Sequence, residues 1–183
     1  MLSLRKLLAR SRGSRPDAAP ATFRLYQRIV EQARQPIFYT QLAVPDTPDG
    51  RFDMVMIHAA LVLRRLRRER AAAADAAQAL FDLMFADMDQ NLREMGVGDL
   101  AVGKRVKAMA QAFYGRLSSY GNALDACDDQ QLADALRRNV YRHREANAAS
   151  VSALARYVAR EAAALDAVPA ATLIAGEVRF GAA

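Results

Sequence analysis

Apolar residues recur at helical spacing along almost the whole chain from residue 21 onward. Over residues 21–33, Phe23, Tyr26, Ile29 and Val30 share one face, the i, i+3, i+4 signature of an amphipathic helix. Pro36, Pro45 and Pro48 then break the pattern. PIFYTQLAVPDTPDG reads as a long ordered loop, with Phe38 and Tyr39 expected to pack on the core. A second helix is predicted over residues 50–70. Its first half is apolar all round, with Phe52, Val55, Met56, Ala59 and Leu63 on one side and Met54, Ile57 and Leu61 on the other. A helix of that kind belongs at the centre of a bundle.

The third predicted helix, residues 71–95, gathers Leu80, Phe81, Met84, Phe85, Met88, Leu92 and Met95 in one arc, with Asp75, Asp82 and Asp89 opposite and Gly96 as C-cap. Asp99 is the expected cap of a fourth helix reaching residue 124, striped by Val102, Val106, Met109, Phe113, Leu117 and Tyr120. Asp128 is positioned to cap a short helix carrying Leu132, Leu136 and Val140. A last helix covers residues 148–165, and Pro169 ends it, leaving TLIAGEVRF as an extended tail. The pattern predicts an all-α, single-domain helical bundle of about six helices with a short extended C-terminal tail. Residues 1–20 form a basic segment and linker ahead of a helical domain over residues 21–183.

Composition narrows the class. With 52% apolar and 25% charged residues in 183, the chain can bury a sizeable core and does not have a disordered composition. Alanine occurs 39 times, which reinforces the helical reading. A single cysteine, Cys127, excludes a disulfide framework and a cysteine-based zinc site. The longest apolar stretch, residues 54–63, is about half of the roughly 20 residues that cross a bilayer, and His58 interrupts it. A soluble or peripheral protein is therefore expected.

The net charge of +6 arises from 26 basic and 20 acidic residues, with 23 arginines against 3 lysines. MLSLRKLLARSRGSR carries Arg5, Lys6, Arg10, Arg12 and Arg15 with no acid, and Leu4, Leu7 and Leu8 on one face. It lacks the apolar core of a secretory signal. It reads either as a presequence or amphipathic foot on an anionic membrane, or as a frayed basic tail. The basic run at residues 64–70, with Lys104, Arg105 and Lys107, suits phosphate backbones or anionic lipid but carries no base-reading motif. Sequence-specific nucleic-acid binding is not expected.

Candidate catalytic motifs fail on their chemistry. GDLAVGKR spells a phosphate-binding loop up to its last position, where Arg105 replaces the Ser or Thr that holds magnesium, and a helix rather than a strand precedes it. The aspartates of the third helix lack the Glu-x-x-His motif of a di-iron bundle. His58 in its apolar surroundings reads as a satisfied core histidine, and Cys127 has no nearby histidine in sequence. Asp87 and Asn91 sit beside the apolar arc, where a partly buried pair hydrogen-bonds a neighbouring helix. Arg116 lies at the margin of its stripe, with Asp87 as candidate partner or, alternatively, a ligand. No metal, cofactor or catalytic residue is expected.

GRFDMVMIHAALVLRRLRRE, ALFDLMFADMDQNLREMGVGDLAVGKRVKAMAQAFYGRLSSY and LADALRRNVY resemble the ubiquinol–cytochrome c chaperone family, most specifically in DMDQNLREMGVGDL and AFYGR. The resemblance implies an assembly factor for the respiratory cytochrome bc complex (complex III) that binds newly made cytochrome b. A small assembly partner and the ribosome are further implied contacts. The implied location is cytoplasmic and peripheral to the inner membrane in a bacterium, or the matrix side in a mitochondrion. A groove near Phe81, Phe85, Met88, Phe113 and Tyr114, with Arg116, is expected to take the partner. Tyr114 projects about 120° from Val102 on the helical wheel and so points off the stripe. Arg5, Lys6, Arg10, Arg64, Arg65 and Arg68 are expected to face the membrane. The alternatives are a haem- or metal-handling protein using His58 or the aspartates, and a general membrane or ribosome adaptor.

Overall fold

The computed structural model describes residues 20–142 and 147–183; Arg5, Lys6, Arg10 and the rest of the basic N-terminal segment lie outside them, as does His143. Among the described residues every regular element is helical. They are α1 (Pro20–Ala33), α2 (Ile37–Thr40), α3 (Pro48–Arg67), a 3₁₀ turn (Arg70–Ala73), α4 (Ala74–Glu94), α5 (Asp99–Asp125), α6 (Asp129–Leu136), a π turn (Arg137–Tyr141), α7 (Ala148–Asp166) and α8 (Ala170–Ile174).

The helix that is apolar on all sides is the axis of the bundle. Every residue of α3 from Asp53 to Leu63 is buried, and α1, α4, α5, α7 and α8 all pack against it. Thr47 starts it by accepting from the Gly50 amide, with Pro48 pre-set in the first turn. Gly50 is needed there, because a Cβ would lie 2.0 Å from the Pro45 carbonyl oxygen. The Pro-rich segment before it, expected as a loop, coils into the short helix α2 at Ile37–Thr40, and it packs on the core as expected. Phe38 is fully buried, and the Tyr39 hydroxyl donates to the Ala33 carbonyl at 2.7 Å.

Burying α3 whole also buries His58. Its Nδ1–H donates to the Met54 carbonyl at 2.8 Å, so Nε2 accepts from the Tyr157 hydroxyl, also at 2.8 Å. The same hydroxyl accepts from Gln32 at 3.0 Å, and the rings of Phe38, Tyr157 and Phe180 surround the imidazole. The histidine is a satisfied core residue, with both ring nitrogens engaged. Burial lowers its pKa to about 4.

Four details depart from the sequence pattern. On α1 the core face is Thr22, Leu25, Tyr26, Ile29 and Ala33, and Phe23 turns outward. Gly98, not Asp99, is the N-cap of α5; Asp99 sits in the first turn and bridges to Arg93. The tail is not wholly extended, since residues 170–174 coil into α8 before the chain straightens. Gly176, at φ +86°, makes that turn, and a Cβ there would meet the Ala21 carbonyl oxygen at 2.4 Å.

The last departure concerns the arginine run. Arg64 reaches Asp125 at 2.6 Å and Asp166 at 3.0 Å, tying the end of α3 to the ends of α5 and α7. Its side chain is only 10% exposed. Arg65 is buried between Glu69 and the Val168 carbonyl, and Arg68 joins the same two aspartates as Arg64. The three arginines expected at a membrane surface are therefore internally neutralised.

His58 makes the fold pH-dependent with a definite sign. In the unfolded chain it takes up a proton near its ordinary 6.5, whereas the folded protein resists protonation down to about 4. The unfolded state binds the extra proton in that window, so stability falls as pH is lowered through it. The gap corresponds to about 3 kcal/mol once fully expressed. Urea midpoints measured from pH 7 to 4 will fall more steeply for the native chain than for His58→Gln.

Candidate functional site

Among the described residues a groove of about 950 Å³ is lined from α1, the segment before α3, the start of α3, the second half of α4 and residues 105–116 of α5. Val30, Phe52, Val55, Met56, Met88, Leu92, Met95 and Met109 supply an apolar lining rich in methionine. Methionine is unbranched and polarisable, so such a wall adapts to apolar surfaces of varied shape. The rim is charged, with Arg34, Arg51, Arg105, Arg116 and Arg142 against Asp46, Asp49 and Asp87.

Two hydrogen-bonded sets hold the walls. On one side the buried Tyr26 hydroxyl of α1 donates to Asp87 of α4 at 2.8 Å. Burial, with the Asp87 charge beside it, drives the phenol pKa far up, so Tyr26 stays a donor. Asp87 thus bonds a neighbouring helix as its place on the wheel predicts, while Asn91 donates to the Asp87 carbonyl within its own helix.

On the other side Asp53, 2% exposed, receives Arg116 at 2.5 Å and Arg142 at 2.8 Å. Arg142 also reaches Asp49 at 3.1 Å. Burial pushes the Asp53 carboxyl up to about 6, against the pull of both guanidinium groups. It is ionised at neutral pH; because the folded carboxyl takes up its proton at a higher pH than the unfolded chain does, its own titration favours the fold as pH falls below about 6, opposite in sign to that of His58. Arg142 makes this contact from a left-handed backbone, at φ +48°.

The expected site residues divide in two. Met88 and Arg116 line the groove. Phe81, Phe85, Phe113 and Tyr114 form a separate aromatic cluster between α4 and α5, with the Phe81 centroid 4.6 Å from that of Phe85 and 5.3 Å from that of Tyr114. Phe81, Phe85 and Phe113 are core residues, and Tyr114 is half-buried against Phe81. Arg116 pairs with Asp53 rather than Asp87, because Asp87 is on the opposite wall with Tyr26. Sequence reading missed Tyr26, Asp53, Arg142 and Met109. A lone carboxylate in the all-apolar half of α3 was the available signal for Asp53; nothing local marks Arg142.

Among the described residues no cluster of three His, Cys, Asp or Glu side chains is placed to hold a metal, and no helix is long and apolar enough to cross a membrane. With both nitrogens engaged, His58 offers no free ligand atom.

Comparison with known proteins places this arrangement. Residues 40–180 match the family model described as ubiquinol-cytochrome C chaperone. Ubiquinol-cytochrome c reductase complex assembly factor 1 of Mus musculus is 27% identical over 161 residues, 87% of this chain and 54% of that protein. The Xenopus laevis counterpart is 26% identical over 159 residues, 86% of this chain and 79% of that protein. The chain thus spans about half the length of the mouse relative. The crystal structure of the Cbp3 homolog from Brucella abortus superposes with a TM-score of 0.81 at 41% identity, covering 88% of this chain and 89% of that one. The relatives are named as assembly factors, not as enzymes.

Removing Arg116 leaves the buried Asp53 with one cation instead of two. Arg116→Ala is expected to cost about 2–4 kcal/mol, read as a lower urea midpoint. Arg116→Lys, which keeps the charge without the planar fork, will recover part of it.

Proposed function

Because the chain belongs to the ubiquinol–cytochrome c chaperone family, we propose that it assists assembly of the respiratory cytochrome bc complex by holding newly made cytochrome b at the membrane surface. The observation that carries this reading is the family match across residues 40–180, most of the described helical bundle. The groove supports it physically. A client with apolar segments needs a surface that covers them without demanding one side-chain shape, and the methionine-lined walls meet that need.

In this reading Met95 and Met109 contact the client, Met56 and Met88 lie buried behind them, and Arg116 borders the site. Phe81, Phe85 and Phe113 back the site from the core, and Tyr114 is the half-exposed edge of their cluster. A small assembly partner is the natural candidate for surfaces outside the groove. Work is done by binding and release, with no bond made or broken, so the client's affinity for its own complex must exceed its affinity for the groove.

Deleting the gene tests the function. Loss of the b-type haem spectrum and of complex III activity is expected; normal complex III would count decisively against it. The groove has its own test. Met109 is only partly buried, so Met109→Asp will keep the helical content and melting behaviour while lowering cytochrome b recovered with the tagged protein severalfold. Undiminished recovery from a folded variant would move the client off this surface.

A further inference from the structure

We propose that the turn joining α4 to α5, with the first two turns of α5, docks on an anionic lipid surface. Leu100 is 93% exposed and Met95 56%, and these are two of the four large apolar side chains that face solvent among the described residues. Leu100, Lys104 and Lys107 follow the i, i+4, i+7 spacing of one helix face. Lys104, Arg105 and Lys107 are all exposed, and none has a carboxylate partner among the described residues. This contrasts with Arg64, Arg65 and Arg68, which are all paired.

The charge of this end is suited to an anionic partner. From residue 100 to residue 124, α5 contains no acidic side chain. Residues 93–107 hold four cations against two carboxylates, and one of those, Asp99, is bridged by Arg93. An apolar side chain flanked by unpaired cations gains by burial at a headgroup boundary and by attraction to anionic lipid together.

Residue choice favours lipid over protein or RNA. The chain uses 23 arginines and 3 lysines, yet two of the lysines stand on this face. Arginine is the residue of fixed, forked contacts at protein interfaces, where lysine is depleted. Lysine has a flexible stem that lies along apolar surface while its ammonium stays among headgroups. Stacked RNA bases need open aromatic partners, and the one aromatic continuing this face, Tyr114, stands two turns beyond Lys107 with its ring packed on Phe81.

The location also links to the groove, since Met95 and Arg105 belong to its lining. Docking this end sets the groove mouth at the bilayer surface, whereas the arginines at 67–70 lie a full α4 length away, about 30 Å. The surface assignment does not depend on what fills the groove.

The chain has no tryptophan, so Leu100→Trp adds a single reporter. With vesicles of phosphatidylcholine and phosphatidylglycerol, its emission should shift to the blue and be quenched by brominated acyl chains. Vesicles of phosphatidylcholine alone should leave it unchanged. Adding Lys104→Glu with Lys107→Glu should weaken partitioning about tenfold or more without altering the melt. Vesicle binding that leaves the emission of the introduced indole unshifted, or binding indifferent to the charge reversals, overturns the proposal. If the reversals abolish capture of an acidic protein but leave vesicle binding intact, the surface is a protein contact and the lipid assignment is wrong.

Discussion

The structure depends on one constraint: a central helix whose stretch from Asp53 to Leu63 is buried on every side and nevertheless carries two polar side chains. Asp53 and His58 are buried on α3, 2% and 0% exposed, so each must find a partner in another element. Asp53 takes Arg116 and Arg142, 63 and 89 residues along the chain, and His58 takes Tyr157, 99 residues along. Apolar contacts alone tolerate sliding of one helix on another. These polar contacts do not, because a displaced partner leaves a buried charge or donor unsatisfied. They fix α5, the π turn and α7 in register around the axis.

The sequence made the repetitive part of this arrangement legible. The arcs on α4 and α5, the all-apolar half of α3 and the Asp128 cap of α6 depend on spacing and local hydrogen bonding, and all are present, save that Met95, expected in the α4 arc, stands exposed just past the helix end. What spacing could not reveal was pairing across the bundle. The sequence offers Arg116 the partner Asp87, and only the packing of α1 on α4, which gives Asp87 to Tyr26, leaves Arg116 to Asp53. Phe23 fits the helical period as well as Leu25 does, and the tertiary neighbours choose Leu25. The aromatic cluster looked like a binding surface because its members share a face; that face turned out to be where α4 meets α5.

The arginine-rich composition has likewise separated into different roles. Arg64 and Arg65 act as tie-points at the end of α3, and Arg116 and Arg142 serve the buried carboxylate of Asp53. A strongly basic pI therefore says little about where free positive charge is available. That question is answered residue by residue, from which cations have found an anion inside the protein.

The contacts around Gly176 bear on how the protein is made. Arg24 and Gln32 of α1 hydrogen-bond the carbonyls of Ala175 and Gly181, which lie 151 and 149 residues further along. Helix α1 emerges from the ribosome early but cannot complete its packing until that final stretch has been synthesised. During translation its apolar face, with Leu25 and Ile29, has only part of its final cover. Closure of the bundle is thus a late, non-local event that leaves a nascent chain open to other partners in the meantime.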